Sequence, residues 1–318
     1  MSIYYSTARQ GELRAKCSIR AAAMPSLALV RRRAALIAVC AVRALSTTSE
    51  RLRQLGRHAS IEIAPRQATR YAELAKARPS APRTVFVNFV DTEDEHFAAV
   101  EAACAVLKEA GLDPVPHVPA SRVKNAAVKR LRALRDAGAA SALIIAGNDW
   151  TDICARVDDV AACAAALLDM RPLFAGFPEG HPYVPRGGAR LAEKLRAHGG
   201  SVVSQFCRDL PFVLDAWLDA TRGDAEAIFV GVPGPAPRAK LRRFYDLCGV
   251  GPSAAVEAVS GDADANDVVA PARDVAALAA YLERHSIDDA SVRLHLYPCG
   301  GVERCLAYVE GLCSGNNS

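Results

Sequence analysis

The sequence predicts an α/β fold, a (β/α)8 TIM barrel preceded by a cleavable or disordered N-terminal extension. Three observations carry that expectation. Eight short β-branched runs alternate with longer runs rich in alanine and leucine, which is the pattern of parallel βα units. Setting the extension aside leaves roughly 255 residues, a usual length for one such barrel. No GxGxxG turn occurs anywhere in the chain, which argues against a doubly wound sheet.

The elements follow in order. Strands are expected at 60–64, 84–90, 113–118, 141–146, 171–176, 201–206, 227–232 and 291–297. Each is short, and most are rich in valine, isoleucine or phenylalanine, as buried parallel strands are. Helices are expected near 67–78, 95–110, 121–137, 152–169, 186–198, 209–221, 237–248 and 272–285. Gly111, Gly138, Gly199 and Gly249 follow four of them, where a left-handed C-cap is needed. The barrel is expected over residues 58–316, with residues 1–45 as a transit peptide.

Residues 1–49 hold one acidic residue, Glu12, against eight basic ones, and are rich in serine and threonine. That composition points to mitochondrial import, with a cytoplasmic tail as the alternative. Arg43-Ala44-Leu45-Ser46 has the look of a cleavage site. The net charge of +4 owes much to this segment, and no basic stripe interleaved with aromatics appears in the body. Nucleic acid is therefore not an expected partner. The apolar run from Ala34 to Val42 is too short to span a bilayer, so no membrane is expected either. None of the ten cysteines forms a CxxC pair. They read as reduced structural thiols, with Cys299 and Cys305 as an alternative redox pair.

Barrel chemistry gathers at the C-terminal ends of the strands. Glu62, Asn88, His117, Asp149, the run from Phe177 to Pro182, Gln205, His295 and Tyr297 all fall there. On the first strand Ile61 and Ile63 share one face and Ser60, Glu62 and Ala64 the other. Glu62 therefore points into the barrel beside small neighbours. Such a carboxyl is a candidate general acid with a raised pKa, or one half of a buried ion pair with an arginine or lysine. Asp149 is either a ligand or a cap for the next helix. Gln205 offers a donor and an acceptor to a heterocycle edge, or bridges strands. His117 and His181 lack a third ligand at metal spacing, so no metal site is expected. Trp150 and Trp217 read as packing.

Five segments, in order, resemble the methylenetetrahydrofolate reductase family. Ser60-Ile61-Glu62-Ile63-Ala64-Pro65-Arg66 is similar to its first-strand segment. Gly147-Asn148-Asp149 stands where the family has R-G-D. Ala175-Gly176-Phe177-Pro178-Glu179-Gly180-His181-Pro182 is similar to its A-x-[YF]-P-E-x-H-P segment. Val203-Ser204-Gln205-Phe206 resembles I-T-Q-F, with Lys194 eleven residues before Gln205, and Leu294-His295-Leu296-Tyr297 resembles the last strand.

The resemblance implies a short, single-domain reductase that uses FAD, takes NAD(P)H as co-substrate and converts 5,10-methylenetetrahydrofolate to 5-methyltetrahydrofolate. Glu62 and Asp149 would be catalytic, and Asp149, Gln205 and Tyr297 would bind folate. Asn88, His117, Gly147, Asn148, Asp149, Phe177, His181 and Lys194 would line the flavin site. A homo-oligomer is expected from the same likeness. The chain departs from the pattern at Gly147, Gly187, Arg190 and Gly301, where the family has an arginine, an aspartate, an asparagine and an arginine. The alternative is a divergent folate-binding or regulatory barrel without redox activity.

Overall fold

The computed structural model describes residues 48–89, 95–123, 126–146, 153–180, 187–250, 266–287 and 290–315. Contacts group Ser46–Ser318 into one compact unit. Within it lie β1 (Ser60–Ile63), β2 (Thr84–Val87), β3 (Asp113–Pro119), β4 (Ser141–Ile145), β5 (Arg171–Gly176), β6 (Ser201–Ser204), β7 (Ile228–Pro233), β8 (Ala236–Pro237), β9 (Val268–Val269) and β10 (Val292–Tyr297). Strands β1 to β7 pair in sequence order, and β10 joins β7 to β1, closing an all-parallel barrel. The expected fold is present, with each barrel strand within a few residues of its predicted place.

Helices cover the barrel as α1 (48–57), α2 (Ala68–Lys76), α3 (Glu95–Glu109), α4 (Ala120–Val123), α5 (Ala127–Asp136), α6 (Ile153–Ala162), α7 (Gly187–His198), α8 (Leu210–Thr221), α9 (Arg238–Leu247), α10 (Ala272–Arg284) and α11 (Val302–Ser314). Gly111, Gly138, Gly199 and Gly249 all take positive φ, the conformation that a glycine C-cap supplies without a Cβ clash. Three features were not anticipated: α1 before the barrel, α11 after it, and the small antiparallel pair β8–β9. The segment expected as one helix over 121–137 contains two, α4 and α5. No described helix is long and apolar enough to cross a membrane.

Two apolar layers hold the barrel. The outer one packs Ile61, Ile63, Val85, Val87, Val230, Val232, Leu294 and Leu296 against the helices. The inner one stacks Phe86, Val115, Leu143, Leu173, Val203, Ala227 and Phe229 inside the ring. The alternation along β1 is as expected: both isoleucines are buried toward the helices, while Ser60 and Glu62 face inward. Below Glu62, the Ser60 hydroxyl lies 2.9 Å from His295 Nδ1, and the two backbones are in register across β1 and β10. His295 is fully buried, and desolvation, reinforced by nearby His117, pushes its pKa down to about 3. It is a neutral ring that packs edge-on to Phe86 and Tyr297.

Candidate active site

A cavity of about 580 Å³ opens where the barrel strands end. This is the face on which barrel enzymes do their chemistry, and the size suits one drug-sized ligand. Glu62 lines the cavity, carried by the inward register of β1. The Asn88 amide stands just past β2 because its backbone N–H donates to Ile63 O at 2.9 Å. From there Asn88 Nδ2 donates to Glu62 Oε1 at 3.2 Å. His117, on the inward face of β3, brings Nε2 to 3.4 Å from Glu62 Oε2. That is near enough for electrostatic contact, but the angle makes no hydrogen bond, and Nε2 is buried without a partner. Asn88 Oδ1 is likewise buried and unpartnered.

Burial decides the charge state. Desolvation pushes the Glu62 carboxyl from 4.5 up to about 7, against the opposing pull of the Asn88 amide. The same cause pushes His117 down to about 4. Glu62 is thus a protonated acid up to near-neutral pH and His117 a neutral imidazole, as low-dielectric sites require. Among the described residues no arginine or lysine pairs with Glu62, so the ion-pair reading finds no partner there.

Tyr297 and Gln205 form the opposite wall. The Tyr297 hydroxyl donates to Ser204 O at 2.8 Å, and its burial, with Glu62 nearby, drives its pKa well above 10. Its ring needs Gly231, where an added Cβ would lie 2.6 Å from Tyr297 Cε2 and 2.2 Å from Ser204 O. Gln205 continues β6 through its N–H to Gly176 O at 2.8 Å, and its side chain reaches the Cys248 thiol. Phe177 lines the cavity beside Ala175.

Glu62, Asn88, His117, Phe177, Gln205 and Tyr297 therefore border one space. Lys194 does not: it is half-buried on α7, outside the residues that line the cavity. Gly147, Asn148, Asp149 and His181 lie outside the described residues. Glu179, from the Phe177–Pro182 run, has a structural task instead. Its two carboxylate oxygens accept the N–H groups of Arg208 and Asp209 at 3.1 and 3.2 Å, just before α8.

Sequence reasoning missed the wall built by α9. Phe244 and Leu247 border the cavity while remaining 37% and 78% exposed, with Cys248 beneath them. They stand three residues apart on one helical face, a spacing that was visible in the sequence. Arg66, Phe206 and Cys299 also line the cavity unannounced. The Cys299 and Cys305 thiols are free and buried, and desolvation lifts each to about 12.

No protein-family model matches the chain. Among solved structures it is similar to a tryptophan synthase alpha-subunit variant from Pyrococcus furiosus, with 12% identity over 81% of this chain and 95% of that one and a TM-score of 0.47. It is also similar to dihydrodipicolinate synthase from Agrobacterium tumefaciens, with 12% identity over 83% and 78% and a TM-score of 0.49. Endonuclease IV from Thermus thermophilus gives 13% identity over 81% and 98%, with a TM-score of 0.45. At such identity the likeness does not extend to chemistry. The barrel itself is a scaffold on which many enzymes are built.

Proposed function

We propose that the chain is a flavin-dependent reductase of 5,10-methylenetetrahydrofolate that uses NAD(P)H. The observation that carries this reading is Glu62. It is a carboxyl kept protonated to about pH 7, sharing a cavity with the Gln205 amide and the Tyr297 ring. A general acid poised near the working pH is what opening of the folate imidazolidine ring requires. Glu62 gives its proton to the ring nitrogen as the carbon–nitrogen bond breaks, leaving an iminium cation. Gln205 holds the pterin edge through its donor and acceptor.

The residues present fit the flavin ring. Leu143, Ile145 and Phe177 give apolar walls. The orphaned Asn88 Oδ1 offers an acceptor to a polar ring edge, and His117 Nε2 a donor or an acceptor according to its tautomer. When bound, the flavin would supply the hydride that reduces the iminium carbon. His117, held neutral, adds no cation that would oppose iminium formation. Asp149 is proposed as the anion that stabilises the cation, and FAD, NAD(P)H and the mitochondrial setting are part of the same proposal.

A second reading is favoured by the start of α7. Gly187 and Arg190 stand where the resembling family grips the flavin's sugar chain, and this first turn carries no acidic residue. On that reading the barrel binds folate without redox turnover.

The visible spectrum of the purified protein separates the two. The reductase shows a flavin band, bleached by NAD(P)H and restored by methylenetetrahydrofolate. Glu62→Gln should lose folate reduction by about 100-fold or more while flavin reduction by NAD(P)H persists. Folate binding by a colourless protein that gains no turnover with added FAD supports the second reading. Normal turnover by Glu62→Gln would overturn the assignment of the acid.

A further inference from the structure

The barrel has a second hollow, of about 270 Å³, where its strands begin. Thr84, Asp113, Ser141, Arg171, Ser201 and Arg293 line it. Most sit two residues before a member of the inner apolar layer, hence on the same inward face. That layer divides the two cavities. Leu143 and Val203 border the upper one, and Val115, Leu173 and Phe229 the lower. The lower hollow is thus a separate site, independent of the reductase reading.

In a lining that also holds Lys108 and the carboxylates of Asp113 and Glu226, two arginines stand together. Among the described residues neither forms an ion pair. Glu226 is engaged by Gly200 N–H at 3.2 Å, and Asp113 is the exposed first residue of β3. Arg293 is fixed in place: Nε donates to Ala290 O at 2.5 Å, and the guanidinium lies 5.1 Å over the Phe229 ring. Among the described residues no hydrogen bond takes its terminal N–H groups, and the residue lines the hollow. Desolvation and then Arg171 depress the Arg293 pKa, as expected for like charges sharing a partly dry space. Among the described residues neither carboxylate comes within ion-pair distance of either guanidinium, so the two forks are open to an anionic ligand.

We propose that this hollow binds a phosphate group between Arg171 and Arg293, either inorganic phosphate or the phosphate of a small metabolite ester. A tetrahedral dianion has enough oxygens to engage both forks and the Ser141 and Ser201 hydroxyls together. A monocarboxylate would satisfy one fork only. A ligand that binds only the folded barrel stabilises it in proportion to its occupancy.

The test titrates the full chain with inorganic phosphate, against sodium chloride at equal ionic strength, following Tm and the phosphorus NMR line width. A saturable rise in Tm with phosphate alone is expected. Arg171 is exposed at a strand start, so Arg171→Met should fold, and it should bind phosphate at least about tenfold more weakly. Glycerol phosphate forms a second arm. Tighter binding than phosphate identifies an ester as the occupant, and weaker binding identifies the free ion. A response that never saturates, that chloride reproduces, or that survives in Arg171→Met at full strength would overturn the site.

Discussion

A single carboxyl sets the pH behaviour of the upper cavity. Glu62 is raised from 4.5 to about 7 by burial, so its protonated form is the one the fold prefers. Its stabilising contribution is complete below about 4.5 and is lost as pH rises through about 7. A shift of that size corresponds to roughly 3 kcal/mol at most. His117 runs the other way: lowered from 6.5 to about 4, its contribution is complete above 6.5 and lost as pH falls through about 4. Between about pH 4.5 and 6.5 the two slopes oppose each other, and by about pH 7 the Glu62 contribution is gone, so Glu62→Gln should melt higher than the parent at pH 8 but not at pH 5. Thermal melts at the two pH values check this; an unchanged difference between them would show that Glu62 is ionised throughout. On the proposed chemistry the rate of folate reduction falls over the same rise through about pH 7. The inward direction of Glu62 was legible from the Ile-Glu-Ile alternation alone. Its partners were not, because Asn88 and His117 are separated from it by 26 and 55 positions of sequence and meet it only through strand register.

At the scale of elements, two local devices shape the cavity rim. Gly231 leaves the space that the Tyr297 ring fills between β6 and β10, so Gly231→Ala drives a methyl into Ser204 O and that ring. Overpacking of this kind costs about 1–3 kcal/mol, and the displaced Tyr297 should weaken ligand binding as well. Urea unfolding with a parallel binding titration reads both effects. Glu179 joins the turn after β5 to the start of α8 through two backbone N–H groups. Removing such a cap costs about 1 kcal/mol, so Glu179→Ala should lower the urea midpoint while leaving the Glu62 titration in place. The strands were readable from their β-branched runs and the helix ends from glycine. α1 and α11 were not, because a helix outside the strand–helix alternation leaves no gap in that pattern. β8 and β9 are two residues each, too short for any periodicity to register. The α9 wall escaped notice because Phe244 and Leu247 look like ordinary helix residues until the barrel mouth is placed beside them.

The barrel unit, taken as a whole, is a ring with a hollow at each end and an apolar plug between them. The plug rests on Phe86, which is fully buried and packs edge-on against Phe229 at 5.4 Å. Phe86→Ala should cost about 3–5 kcal/mol and bring water between the two hollows. Amide exchange should then quicken along β2 and β7; protection equal to the parent's would mean that the plug does not seal the ring. The sequence foretold the ring and its upper hollow because barrel strands alternate their faces. The lower hollow lay hidden in plain sight: Arg171 and Arg293 look like routine strand-flanking charges until β5 and β10 are set across from each other.

The pairing of β10 with β1 has a cost during synthesis. Ser60 and His295 are partners yet leave the ribosome far apart in time. Until the late strand arrives, β1 and β7 each present a bare row of backbone donors and acceptors, the kind of surface on which neighbouring chains aggregate. Growing chains of this protein should therefore be strong clients for chaperones, and a nonsense change anywhere before Val292 should yield insoluble material with no residual ligand affinity.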